Sequence, residues 1–216
     1  MKKKFLSLMM AAAVVATTSV SAFAADETTN LTVGENGVEQ KVNITGNIAD
    51  NDGDVVEGTI TVTVPTAMAF TINSAGEFEN GKITISNKSN SKVKVIAKGF
   101  VDSTPSSEIV VKKNNELEKV SDYEPGKRNI TLTLTGDKRI GLFSTGTSTG
   151  TGLYNVDSRS EITDENDALL GVILANDELE LRLDGETQKK NDGSYTPPND
   201  PMTDNFKLKL KIKKEI

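Results

Sequence analysis

The chain has 216 residues with a net charge of −6, and it contains no His, Cys or Trp. The missing His and Cys exclude most nucleophile–base pairs, thiolate chemistry and imidazole metal sites. The acidic balance repels phosphate backbones, which disfavours nucleic acid as a partner. We therefore expect a protein that is not an enzyme and that has no cofactor, no bound metal and no disulfide.

The N-terminus has the three parts of a secretory signal peptide. Residues 2–4 are lysines, residues 5–15 are apolar, and residues 22–24 form the small-x-small pattern Ala-Phe-Ala that precedes cleavage. Residues 1–24 are thus predicted to be a signal peptide, which places the mature protein outside the cytoplasm. No later apolar run approaches the length of a membrane span.

The first mature residues contain two short alternating runs, at 31–33 and 38–45. They flank residues 34–37, which include an Asn-Gly pair, and this pattern predicts a β-hairpin. An isolated two-stranded ribbon is marginal in water. Segment 25–46 is therefore expected either to fold back on its own sheets or to add to the open sheet edge of a neighbouring molecule.

Residues 58–100 carry the clearest strand pattern of the chain. Apolar residues fall at every second position, polar residues fill the gaps, and Pro, Gly, Asn and Ser separate the runs. Since side chains on a strand point alternately to opposite faces, each run has one core face. The stretch predicts an antiparallel meander in which Phe70 is buried in the middle of a strand.

A further hairpin and a further strand are predicted after residue 101. Residues 108–113 and 116–120 flank an Asn-Asn pair and are interpreted as a hairpin. Residues 129–135 alternate cleanly and form one of the clearest predicted strands, with Leu132 in the core.

The C-terminal part alternates between long polar loops and strands. Loop 144–152 (STGTSTGTG) and loop 184–201 are too polar to pack a core and are expected to be exposed. Residues 169–175 are apolar on both faces and predict a central buried strand, with a short helix as the alternative. Residues 178–183 and 205–213 alternate as strands, the latter with four lysines on its polar face.

Two acidic clusters and the lysine row are candidate binding sites. The run 50–54 (DNDGD) resembles a calcium loop, but its Gly is fourth rather than sixth and position twelve is Thr61, so an EF-hand is excluded. Asp164, Glu165 and Asp167 form a second cluster, and both are interpreted as solvated turns. The C-terminal lysines can attract anionic wall polymers, or they are simply the wet face of a strand.

Residues 60–72 and 82–87 (ITVTVPT through FTI, then KITISN) resemble secreted surface β-domains of low-GC Gram-positive bacteria. WxL-type wall-associated proteins have a similar run, although a chain without Trp lacks the motif that names them. The chain is also similar to camelysin-like and biofilm-fibre subunits, which share a signal peptide and a Cys-free sandwich. These resemblances imply a cell-surface protein and supply no functional residues.

Together these patterns predict an all-β protein, an antiparallel β-sandwich with long polar loops, as a single domain over residues 25–216. Two tandem domains divided near residues 101–107 are the alternative. The expected function is that of an exported structural or interaction protein of the cell surface or matrix, a fibre subunit that assembles by β-strand addition. Its partners would be other copies of itself, surface proteins or wall polymers. The alternative is a monomeric adhesin or ligand-binding module that uses loops 144–152 and 184–201.

Overall fold

The computed structural model describes residues 28–33, 38–43, 60–103, 108–144 and 151–215, with side chains described from Ile60 onward. The predicted signal peptide and the acidic run 50–54 lie outside the described residues. The strands, in chain order, are β1 (Thr28–Val33), β2 (Val38–Asn43), β3 (Ile60–Pro65), β4 (Thr71–Ile72), β5 (Phe78–Glu79), β6 (Gly81–Asn87), β7 (Val93–Asp102), β8 (Ile109–Val111), β9 (Arg128–Thr135), β10 (Arg139–Leu142), β11 (Leu153–Asn155), β12 (Leu169–Ile173), β13 (Glu178–Thr187) and β14 (Phe206–Lys214).

The protein is all-β, as predicted, and its antiparallel sheets pack as a β-sandwich. The large sheet has the order β1-β3-β6-β13-β9-β10-β11, and the small sheet has the order β12-β7-β14-β2. Strands β4 and β5 form a separate two-stranded ribbon. One departure from antiparallel pairing occurs in the large sheet, where the short β8 lies parallel to β9.

The core lies between the two sheets and is built from the alternating apolar positions. In β3, β9 and β14 the predicted inward residues are buried, among them Val62, Leu132 and Leu210, which have no exposed surface. Strands on both sides of residues 101–107 pair with each other: β6 pairs with β13, and β7 pairs with β14. One contiguous hydrophobic cluster contains residues from all of these strands.

Strands that follow each other in the sequence do not always pair in the structure, and two predicted hairpins are wrong for this reason. Strand β1 pairs with β3 and β2 pairs with β14, so the two N-terminal strands complete different sheets rather than a ribbon of their own. Each thereby forms a six-residue ladder on an existing sheet, which stabilises a strand better than an isolated ribbon does. The second predicted hairpin is replaced by a 3-10 helix at Asn114–Glu116, because β8 takes β9 as its partner.

The prediction of an antiparallel meander over residues 58–100 is also only partly correct. Strands β3 and β6 pair antiparallel, but β7 crosses to the small sheet. Phe70 lies outside the strands and is partly buried, so its prediction as a mid-strand core residue is wrong. Residues 169–173 form a strand rather than a helix, but that strand, β12, lies at the edge of the small sheet and not at its centre.

Candidate functional site

The first candidate site is the pair of sheet edges that the N-terminal strands occupy. Strand β1 runs antiparallel along β3 from Thr28 opposite Pro65 to Val33 opposite Ile60. Strand β2 runs antiparallel along β14 from Val38 opposite Ile212 to Asn43 opposite Lys207. Each strand forms the edge of its sheet, and because β1 also contacts β2 and β14, the two edges lie on the same side of the sandwich.

The two opposite edges are covered by neighbouring turns instead. On β12, the Leu170 carbonyl accepts a hydrogen bond from the Lys138 amide at 3.1 Å, and the Val172 amide donates to the Asp137 carboxylate at 3.3 Å. On β11, the Leu153 carbonyl accepts from the Ile162 amide at 3.0 Å. The main chain of these edges is thus already engaged, which reduces its capacity to pair with another strand.

The second candidate site is a pocket at the end of the sandwich where β9 begins and β13 ends. Its volume is about 490 Å³, within the range of small-molecule sites. It lies between the segment around β4, the starts of β8 and β9, and the loop that precedes β14. Its walls are mainly apolar and include Phe70, Ile72, Ile109, Ile130, Pro198 and Met202.

A row of aromatic rings connects the pocket to the core. Phe70 stacks on Phe78 with ring centroids 5.1 Å apart, and it also lies 6.4 Å from Phe206. Phe206 in turn stacks on Phe100 at 5.4 Å, and both of these residues are buried. The pocket wall at Phe70 is therefore held by the packed interior rather than by the loop alone.

The pocket wall at Tyr195 packs against a glycine. Gly76 has a φ of +78°, and a Cβ placed on it would come within 2.6 Å of the Tyr195 ring. Only glycine combines this backbone conformation with such a close ring contact. The β4–β5 turn thus packs directly against the Tyr195 ring.

Polar residues also line the pocket, and three of them, Arg128, Thr187 and Tyr195, lie near one another. Burial raises the pKa of the Tyr195 hydroxyl, and the nearby Arg128 charge opposes that rise. Thr187 also lies near Tyr195, but its buried hydroxyl completes no hydrogen bond, and neither does the buried Nε of Arg128. The pocket therefore contains hydrogen-bonding capacity that the protein itself does not use.

The Arg128 guanidinium is held in place by a neighbouring loop. It lies 4.4 Å from the centre of the Tyr123 ring, and its Nη1 donates to the Lys127 carbonyl at 2.8 Å. The Tyr123 hydroxyl donates to the Gln188 carbonyl at 3.1 Å, and the Gln188 amide donates to the Glu118 carbonyl at 2.8 Å. These contacts pin the segment 118–128 against the loop after β13.

Loop 184–201 contributes residues to this pocket. The loop begins later than the predicted Asp184, because β13 continues to Thr187. Its exposed part is ordered by a tight turn, in which the Asp192 carboxylate accepts hydrogen bonds from the amide and hydroxyl of Ser194. The described residues of loop 144–152 do not line the pocket. Gly152 instead is buried against the Phe100 and Phe143 carbonyls with a φ of +60°, which anchors that loop beside β7.

The acidic cluster 164–167 is a structural ion-pair site. The Glu165 carboxylate lies 2.6 Å from the Lys98 Nζ and 3.1 Å from the Lys211 Nζ. Hydrogen bonds from these two lysines lower the pKa of Glu165 to about 2. Asp164 accepts a hydrogen bond from the Asn166 amide, as expected for a turn residue.

The C-terminal lysine row does not lie at a sheet edge. Strand β14 runs between β7 and β2 within the small sheet, and its inward residues Leu208, Leu210 and Ile212 are buried. The lysines thus lie on the outer face of the small sheet, where Lys211 is engaged by Glu165. Binding of an anionic wall polymer to this face stays a prediction.

Sequence reasoning identified loop 184–201, which contains Thr187, but missed Arg128 and the walls at residues 69–72. The available signal was the aromatic and proline content of residues 195–201, which is unusual in a polar loop. Within the described ranges, no three His, Cys, Asp or Glu side chains are grouped to hold a metal, and no helix is long and apolar enough to span a membrane. No family model, curated protein or solved structure matches the chain.

Proposed function

We propose that this protein is an exported, non-enzymatic structural subunit of the bacterial cell surface or extracellular matrix, which assembles by β-strand addition. The observation that carries the proposal is the position of β1 and β2, two consecutive strands that complete the edges of two different sheets. An element that completes its own fold in this way can complete the same edges of a second copy with identical pairings.

Withdrawal of β1 and β2 would open two long edges at once. Strand β3 offers six paired positions to β1, and β14 has nine residues, of which six pair with β2. An open strand of this length presents unpaired amide and carbonyl groups, which are a template for another chain. The edges at β11 and β12 are less suitable because adjacent turns already bond to them.

The connection between β2 and β3 is long enough for exchange between molecules. Sixteen residues separate Asn43 from Ile60, and a chain of that length can span at most about 55 Å. Strand β14 is about 30 Å long at the rise of a β-strand. The connection can therefore carry β1 and β2 to a neighbour without disturbing either sandwich.

A disulfide trap distinguishes strand exchange from folding within one chain. Thr32 and Thr61 lie directly opposite each other in the β1–β3 register, and the natural chain has no Cys that could interfere. The double variant Thr32→Cys with Thr61→Cys is exported, allowed to assemble and oxidised. Strand addition between subunits predicts a ladder of covalent multimers on a non-reducing denaturing gel, which collapses to monomer on reduction.

The matched control places the same cysteines in a pair that cannot exchange. Thr84 and Glu180 are opposite each other in β6 and β13, inside the large sheet. Thr84→Cys with Glu180→Cys should give an internal disulfide and a monomer band. The proposal is wrong if the Thr32–Thr61 variant also gives only monomer, whether or not the native protein forms multimers by another route.

Export itself is tested separately. N-terminal sequencing of the protein from culture supernatant or cell surface should begin at Ala25. Full-length protein that stays in the cytoplasm would remove the basis for a surface role.

The alternative function, a monomeric adhesin or ligand-binding module, is favoured by the pocket beside loop 184–201.

A further inference from the structure

We propose that the pocket bounded by Phe70, Arg128 and Met202 binds a ligand with an apolar body and a single carboxylate. This inference does not depend on strand addition, since none of the pocket's lining residues belongs to β1, β2, β3 or β14. It gives the ligand-binding alternative a defined site and a defined ligand chemistry.

The positive charge of Arg128 is the first reason for an anionic group. Among the described residues no carboxylate forms an ion pair with this guanidinium. The Lys127 carbonyl and the face of the Tyr123 ring orient the side chain, and the Asp122 carboxylate attracts it without forming an ion pair with it. A guanidinium held in this way presents its remaining donors in a planar fork that matches a carboxylate.

The unused hydroxyl of Thr187 is a second and independent reason. Thr187 is only 4% exposed, its hydroxyl lies beside Tyr195 without completing a well-formed hydrogen bond, and the residue lines the pocket together with Tyr195. A buried hydroxyl without a partner costs free energy that a ligand oxygen would recover. The Tyr195 hydroxyl offers a further donor close to the same place.

The remaining walls determine the rest of the ligand. Phe70, Ile72, Ile109 and Ile130 present an apolar surface, which favours a hydrocarbon body. Asp204 also lines the pocket, and its carboxylate accepts a hydrogen bond from the Asn205 amide at 2.6 Å. Because this negative charge repels further anionic charge, a monoanionic carboxylate fits better than a phosphate.

Two sources share this chemistry: a free fatty acid, and the C-terminal residue of a peptide. The test titrates the full mature protein with octanoate and with N-acetyl-leucine by isothermal calorimetry. Octanamide and N-acetyl-leucinamide serve as the neutral counterparts. The chain has no Trp, so quenching or enhancement of tyrosine emission gives a second readout at Tyr123 and Tyr195.

The expected result is saturable binding of at least one carboxylate, with its amide at least tenfold weaker. Preference for octanoate identifies a hydrocarbon tail, and preference for N-acetyl-leucine identifies a peptide terminus. Arg128→Gln should weaken binding at least tenfold, whereas Arg139→Gln, which changes an exposed arginine outside the pocket, should leave the affinity unchanged.

A second variant separates a loss of binding from a folding defect in Arg128→Gln. Met202→Trp keeps the arginine but fills part of the cavity, and it should abolish binding while the circular dichroism spectrum stays native. The proposal is overturned if neither carboxylate binds at millimolar concentration, if each amide binds as well as its acid, or if Met202→Trp retains the native affinity.

Discussion

Replacing Asn87 with alanine is expected to destabilise the protein by about 2–4 kcal/mol. Asn87 ends β6 and is 1% exposed. Its amide nitrogen donates to the Ser91 carbonyl at 2.7 Å and to the Leu174 carbonyl at 2.9 Å, and its oxygen accepts from the amide and the hydroxyl of Ser89. One side chain thus joins the β6–β7 turn to the end of β12.

The magnitude follows from these four hydrogen bonds. Each contributes a net ~0.5–1.5 kcal/mol, and a buried acceptor left without a donor costs ~1–3 kcal/mol. Alanine would remove all four bonds, but the Leu174 carbonyl keeps a hydrogen bond from the Asp177 amide at 3.2 Å and the Ser89 groups can turn to water, so the expected loss lies in the lower part of the summed range. For a protein of this size the loss corresponds to a decrease in Tm of about 4–16 °C.

Thermal and urea unfolding followed by circular dichroism would measure the effect. Asn90→Ala is the matched control, because Asn90 is exposed and accepts only one long hydrogen bond, from Asn176 at 3.3 Å. The control should change stability by less than about 0.5 kcal/mol. Equal losses in the two variants would refute the assignment of Asn87 as the buried link between these turns.

Three further predictions concern other parts of the sandwich. Leu132→Ala should cost about 2–5 kcal/mol in urea unfolding, because Leu132 is fully buried between the sheets; a loss under ~0.5 kcal/mol would contradict that packing. Gly152→Ala should cost at least ~1–2 kcal/mol from its positive φ alone, with more from the clash with the Phe100 carbonyl; unchanged stability would contradict the close approach. Glu165→Gln should cost ~1 kcal/mol or less at pH 7, since its two lysine pairs are partly exposed and screened. The folded-state pKa of Glu165 is about 2 and lies below its ordinary value of 4.5, so this contribution is present above pH 4.5 and disappears as the pH falls toward 2. A difference between wild type and Glu165→Gln that persists at pH 2 would contradict the ion pairing.

The sequence by itself determined the fold class and the facing of the main strands. In residues 129–135 and 206–212 the apolar residues repeat every second position, and the structure buries that set. This information is local, because the two faces of a strand are set by backbone geometry wherever the strand lies. For the same reason the burial of Leu132 was predicted correctly, while Phe70, which lies just outside a strand, was not.

Only the tertiary structure decided which strands pair. An alternating strand satisfies its hydrogen bonds equally well in either sheet, so the pattern of residues 28–43 could not show that β1 joins β3 while β2 joins β14. The turns that cover β11 and β12 could not be predicted either, since apart from the Asp137 carboxylate they act through main-chain groups that every residue carries.

The pocket could not be predicted from the sequence for a related reason. Its walls come from residues near 70, 109, 128, 187 and 202, which are far apart in the chain and meet where the start of β9 lies beside the end of β13. No motif links Arg128 to Thr187, because their proximity depends on sheet order and not on spacing. Local periodicity therefore determined which residues face the core, and long-range pairing decided which of the remaining residues form a site.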